Sequence, residues 1–169
     1  NLVNNILLAA RIETSFKISP EPLNFNDLIT ENLRQVRTKF SNIRFYFQSN
    51  DKLPMIHGDR FALNSIIVNL IENAVKYSPN GDEVHIRLNK SGKQLHFEVA
   101  DKGVGISTED KERVFEKFYR VGNEDTRKTK GTGLGLFIVK NMVTAHKGDI
   151  EILDNKPNGS TFKVILPIS

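Results

Sequence analysis

The amino-acid sequence predicts an α+β domain, with helices layered on one mostly antiparallel sheet. Two patterns carry this expectation. Several segments repeat apolar residues at spacings of three and four, the longest being RFALNSIIVNLIENAVKY from Arg60, which is the period of a helix with one buried stripe. Other segments alternate apolar and polar residues and follow one another in pairs, VHIRL and LHFEVAD being joined only by NKSGK. So short a link makes neighbouring strands antiparallel, and helices with one apolar stripe need a sheet to bury it.

In chain order, Asn1 to about Phe16 reads as the end of an amphipathic helix with Leu2, Ile6, Ala9 and Ala10 on one side, stopped by Pro20 and Pro22. It is too short to be stable alone and is expected to continue a helical element upstream. The start at Asn1 instead of Met suggests a fragment of a longer chain. Asn26 is the expected N-cap of a helix carrying Leu28, Ile29, Leu33, Val36 and Phe40. A strand follows at Ile43, Phe45 and Phe47. Asp59 is placed to cap the long helix, which ends before Pro79 and Gly81. After the pair of strands, Ser107 with Asp110 three residues on resembles a capping box opening a helix towards Phe118. A last helix ends near His146 and Gly148. Strands near Ile150 to Leu153 and Thr161 to Leu166 complete the chain.

The 169 residues are 38% hydrophobic and 26% charged, an ordinary composition for one soluble domain. No apolar run approaches the ~20 residues of a membrane span, and no signal-peptide pattern opens the chain. With no cysteine, disulfides and cysteine-ligated zinc are excluded. The net charge of +4 is weak support for a nucleic-acid partner. Moreover, Lys117, Arg120, Arg127, Lys128 and Lys130 crowd ahead of a glycine-rich segment instead of lining a helix.

That segment, KGTGLGLFIVKNMV from Lys130, sets glycines at 131, 133 and 135 where a helix must begin. It is either a turn or a cradle in which backbone N–H groups at a helix N-terminus close on phosphate. Its spacing is neither the GxxxxGK[ST] phosphate loop nor the GxGxxG dinucleotide fingerprint. On the long helix, a 100° advance per residue places Asn69, Asn73 and Lys76 within a stripe about 60° wide. Leu63, Ile67, Leu70 and Ala74 lie on the other side. An ordinary solvated face would carry Glu and Lys sooner than two asparagines, so the stripe reads as one wall of a site. An amide oxygen such as that of Asn73 suits Mg²⁺ when triphosphate oxygens and water fill the other positions. Lys76 offers a point charge to phosphate, and Tyr77 either packs near a nucleotide or caps the core. In DKGVGI, Asp101 ends an alternating strand beside Gly103 and Gly105, which is also ordinary turn chemistry. As a buried carboxylate it accepts only, so it pairs with the exocyclic amine of adenine and repels the carbonyl that guanine shows there.

Taken in order, NLIENAVKY, DKGVGI, FEKFYR and GTGLGL closely resemble the N, G1, F and G2 boxes of the catalytic ATP-binding domain of two-component sensor histidine kinases, in the GHKL superfamily. The resemblance runs from about Leu23 to Pro167. It implies the Bergerat fold, a two-layer α/β sandwich whose mixed, mostly antiparallel sheet is covered on one face by about three helices and carries a mobile ATP lid. It implies ATP and Mg²⁺ as ligands, with Asn73 contacting the metal, Asn69 and Lys76 near the phosphates and Tyr77 beside the nucleotide. Asp101 resembles the adenine-binding aspartate, supported by Gly103, Gly105 and Ile106. Phe115 and Phe118 are expected to pack the base of the lid, with Arg120 reaching phosphate. Lys130, Gly131, Thr132, Gly133, Leu134, Gly135 and Leu136 are expected along the lid hinge and the phosphate-facing helix start. Asn69, Lys76 and Arg120 are the candidate catalytic residues.

NLVNNILLAARIE is similar to the tail of the dimerisation helix in such kinases, so residues 1–19 are expected to be that tail with its linker and residues 20–169 the catalytic domain. The family's phosphoacceptor is a histidine followed by an acidic residue. Here His57 precedes Gly, His85 Ile, His96 Phe and His146 Lys, so the acceptor is expected on a separate dimerisation domain. A response regulator is the implied further partner, and the implied setting is the cytoplasmic side of an inner-membrane sensor kinase, attached through upstream segments. Related ATP hydrolases use a glutamate four residues before the metal-binding asparagine, and that position here is Asn69. A neutral amide cannot take a proton from water, which favours transfer to histidine. ATP hydrolysis, with Glu72 as a displaced base, and ATP sensing without catalysis are the alternatives.

Overall fold

The computed structural model describes residues 2–50, 52–78, 83–122 and 131–168. Its helices are α1 (Leu2–Thr14), α2 (Phe25–Lys39), α3 (Arg60–Lys76), α4 (Thr108–Arg113) and α5 (Gly135–Ala145). Its strands are β1 (Glu21–Leu23), β2 (Arg44–Ser49), β3 (Ile56–Gly58), β4 (Glu83–Ser91), β5 (Gln94–Ala100), β6 (Asp149–Asp154) and β7 (Ser160–Pro167).

Alternation along the strands makes the main sheet one-sided. In the order β2-β4-β5-β7-β6, only β2 and β4 run parallel. The register aligns Leu88, Phe97 and Val164 across three strands, with Ile86, Val99 and Phe162 in the next row. All six are buried. Over this face lie α2, α3 and α5, which contribute Leu28, Ile29 and Leu33, then Leu63, Ile67 and Leu70, then Ile138, Val139 and Met142 to one core. Phe25 meets Phe97 edge-on at 5.5 Å between ring centroids. The fold is therefore an α+β sandwich with a mixed, mostly antiparallel sheet and three helices on one face.

The caps follow side-chain chemistry. Asp59 accepts the Ala62 N–H at 2.9 Å and Ser107 accepts that of Asp110 at 3.1 Å, as their positions predict. The cap of α2 is Asn24, which accepts the Asp27 N–H at 3.2 Å, and not Asn26. The helix starts earlier because Phe25 is drawn into the core, which puts Asn26 in the first turn. A second difference is the small antiparallel sheet of β1 and β3, which seats buried Leu23 opposite Ile56. Three-residue strands, one containing Pro22, fall below what alternation detects.

The packed face of α1 also differs from the expected one. Of Leu2, Ile6, Ala9 and Ala10 only Ala9 is buried, while Leu2 and Ile6 remain 55% and 46% exposed. Instead Leu8 and Ile12 join Ala9 against the core, with Phe16 just beyond the helix end, and α1 packs chiefly against α5. Likewise α4 ends at Arg113 without continuing towards Phe118. Phe118 takes φ +63° and gives its N–H to the Gly133 carbonyl at 3.0 Å, a tertiary bond that helical geometry would forbid.

Candidate functional site

A cavity of about 520 Å³ opens where the C-terminal half of α3, the loop after β5, the segment after α4 and the start of α5 converge. On the α3 side it is lined by Asn69, Asn73, Lys76 and Tyr77, so the polar stripe does face one space. Asn69 gives its Nδ2 hydrogen to the Ser65 carbonyl at 2.8 Å and holds its oxygen against Gly135. A Cβ on Gly135 would sit 2.9 Å from that oxygen, so glycine lets α5 approach α3 here. The Asn73 amide makes no side-chain hydrogen bond among the described residues. Lys76 holds its ammonium 4.9 Å from the Tyr77 ring centroid and close to Gly131.

Opposite this wall is Asp101, 4% exposed. Its Oδ1 accepts the Gly103 N–H at 2.8 Å and the Ser160 N–H at 3.2 Å. Oδ2 has no protein donor among the described residues and opens on the cavity. Burial pushes the carboxyl above the ordinary aspartate range, and the two backbone donors offset only part of that rise. Gly105, at φ +77°, and Ile106 line the same end. Gly103 does not line it. It lies beneath, its Cα packed against the Tyr77 carbonyl so closely that no Cβ fits.

The third wall carries Arg120, Gly131, Thr132, Gly133, Gly135 and Leu136. Leu134 is fully buried as the first residue before α5 and faces the core instead. Among the described residues no side chain caps α5, so its first-turn N–H groups have no side-chain acceptor there. Phe118, expected under the lid with Phe115, is 61% exposed and does not line the cavity, while Phe115 packs half-buried against the core. The left-handed backbone of Phe118 turns its ring outward. Lys130, Arg127 and Lys128 lie outside the described residues. Among the described residues no group of three or more His, Cys, Asp or Glu could hold a metal ion.

Several lining residues were not foreseen. Tyr119 faces the cavity while donating to Asp110 Oδ1 at 2.5 Å, a bond that raises the phenol and, with Ser107, lowers the carboxyl. Ser160 and Phe162 enter from β7, and Leu2 and Asn5 from α1. Tyr119 lies inside FEKFYR, but the other four belong to none of the four boxes, so no local signal marks them. Glu72 also reaches the cavity but is ion-paired with Lys39 of α2.

Residues 58–169 match the family model for histidine kinase-, DNA gyrase B-, and HSP90-like ATPases. The chain is 46% identical over 110 residues to the sensor-like histidine kinase SenX3 of Mycolicibacterium smegmatis, a match covering 65% of this chain and 29% of that protein. Against the sensor protein CiaH of Streptococcus pneumoniae it is 32% identical, covering 99% of this chain and 38% of the relative. The chain thus spans under two fifths of either curated relative. Among solved structures, the mycobacterial sensor histidine kinase MprB superposes with a TM-score of 0.76 at 31% identity, over 89% of this chain and 98% of that one. A family match across two thirds of the chain, and four sequence boxes whose segments meet at one cavity, agree: this protein belongs to the histidine kinase-, DNA gyrase B-, and HSP90-like ATPase family, as a catalytic ATP-binding domain of the sensor histidine kinase type.

Proposed function

We propose that the domain binds ATP with Mg²⁺ in the cavity and transfers the γ-phosphoryl group to a histidine on a dimerisation domain of the same kinase, for onward transfer to a response-regulator aspartate. The observation that carries this reading is Asp101: a buried carboxylate with one oxygen held twice by backbone and the other open to the cavity. A buried acceptor without a donor is expensive, and the exocyclic amine of adenine is a donor of matching sign. Asn73, with an uncommitted amide oxygen, fits a hard divalent ion whose other ligands are phosphate oxygens and water. When bound, Mg²⁺ supplies charge neutralisation at the β- and γ-phosphates. Lys76, Arg120 and Lys130 are assigned to the phosphate chain, with Asn69 and the α5 N-terminus orienting it. The acceptor histidine nitrogen attacks the γ-phosphorus, the bond from that phosphorus to the β–γ bridging oxygen breaks, ADP leaves, and the imidazole gives up its proton to solvent.

Hydrolysis is the weaker reading for two reasons. Asn69 cannot accept a proton from water, and Glu72 is turned to an ion pair with Lys39 of α2. Residues 1–19 are assigned to the tail of the dimerisation helix and its linker, a division supported by β1 starting at Glu21. No helix among the described residues is long and apolar enough to cross a membrane, so the attachment expected for an inner-membrane sensor kinase is assigned to other segments of the protein. The test is to incubate the domain with γ-labelled ATP, Mg²⁺ and a separate histidine-bearing dimerisation domain. Acid-labile label on histidine, lost in N73A, is expected. Free phosphate alone would favour hydrolysis, and binding without either product would favour an ATP sensor.

A further inference from the structure

We propose that Asn155, in the turn between β6 and β7, is a positioning residue for base selection, acting through Asp101. The inference rests on the reading of Asp101 as the group that recognises adenine. Asn155 does not line the cavity. Its Nδ2 donates to the Asp101 carbonyl at 2.8 Å, across 54 residues of sequence. Its own N–H closes the turn on the Gly159 carbonyl at 3.0 Å.

The geometry of Asp101 explains why this contact matters. Asp101 stands one residue beyond β5, where the chain leaves the sheet and turns through Gly103 and Gly105. No following strand is available for its carbonyl. The turn before β7 takes over that task from the other side. Ser160 accepts the Asp101 N–H at 2.9 Å and returns its own N–H to Oδ1 at 3.2 Å. Gly159, at φ +110°, lies so close that a Cβ would run into the Asp101 carbonyl. The backbone of Asp101 is therefore gripped at its N–H by Ser160 and at its C=O by Asn155. Together these grips fix the rotation of the peptide planes that carry the side chain, and hence where Oδ2 points. Removing the Asn155 donor frees one of the two planes and leaves a buried carbonyl unmatched, while the phosphate wall on α3 and α5 is untouched.

The test compares N155D, which keeps the side-chain size but replaces the donor by an acceptor, with N155A. ATP and GTP affinities are measured for both variants and for the unaltered domain by competition with a fluorescent nucleotide. The expected result is about a tenfold weaker affinity for ATP with GTP unchanged within twofold, so that the ATP/GTP ratio collapses at the base end. Adenosine competition should weaken in parallel with ATP. Equal weakening of ATP and GTP would show a general structural role and overturn the proposal, as would unchanged ATP affinity in either folded variant. If the unaltered domain itself shows no preference for ATP over GTP, the reading of Asp101 fails first and the role of Asn155 falls with it.

Discussion

In the proposed reading, Asp101 is the residue that makes the fold a selective site. Two backbone donors occupy Oδ1, and Oδ2 is left as an acceptor without a protein donor among the described residues, on the side of the cavity. Its burial makes the residue costly to the empty domain. Because its folded value lies above that of the unfolded chain, the ionised group opposes folding in full at pH above its folded value. The penalty shrinks as pH falls and vanishes below the ordinary aspartate range of about 4. In D101N the amide oxygen can keep both backbone donors while the NH₂ turns to the cavity. The empty variant is therefore expected to melt at a temperature about 2–4 °C higher at pH 7, equivalent to ~1 kcal/mol, with the difference closing towards pH 3 in calorimetric scans. A lower melting temperature at neutral pH would contradict the burial argument. The place of Asp101 at the cavity was legible from DKGVGI because a carboxylate, a strand end and two glycines are adjacent in sequence. Asn155 and Ser160 were not, since each reaches the site through contacts that only the folded chain creates.

Between the start of α5 and the segment after α4 the fold depends on close approach. Gly133 has φ +71°, and a Cβ there would lie 2.6 Å from the Phe118 backbone, which bonds to the Gly133 carbonyl. G133A is therefore expected to destabilise the domain by about 1–3 kcal/mol and to impair phosphoryl transfer further by displacing the start of α5. Denaturant unfolding alongside single-turnover transfer measures both effects, and a fully stable, fully active variant would refute the role of this contact. The cap of α3 offers an independent check. Burial alone would raise Asp59, but the N–H groups of Ser19, Ala62 and Phe61 and the nearby His146 outweigh it and hold the carboxyl low. Its contribution is thus present above the ordinary aspartate range and lost as pH falls through the lowered folded value. D59A should cost about 1 kcal/mol at pH 7 and less once both states are protonated, as urea melts across pH will show. Asp59 and Ser107 were readable as caps because each precedes a clear apolar period. Asn24 was missed because the packing of Phe25 against Phe97 decides where α2 begins, and local sequence does not encode that partner.

Across the whole molecule, the outline of the sandwich was readable from alternation and helical period, since one-sided burial imposes both on the chain. The docking of α1 was not. Its packed face is chosen by the flank of α5, and its position brings Leu2 and Asn5 to the cavity and Glu13 within 2.8 Å of Lys117. That ion pair is partly exposed, and such pairs contribute at most about 1 kcal/mol. E13A is accordingly expected to change stability by no more than that in denaturant melts, whereas replacing Ile12 by Ala should release α1 more fully. A loss well above 1 kcal/mol in E13A would mean that charge and not apolar packing seats the helix.

The central claim concerns hydrogen-bond sign at residue 101, and calorimetric titration of the unaltered domain and D101N with MgATP and MgGTP tests it most directly. The unaltered domain is predicted to bind ATP at least tenfold more tightly than GTP. D101N, presenting a donor where adenine also presents one, is predicted to lose that preference or turn it towards GTP. An undiminished preference for ATP in folded D101N would contradict the account.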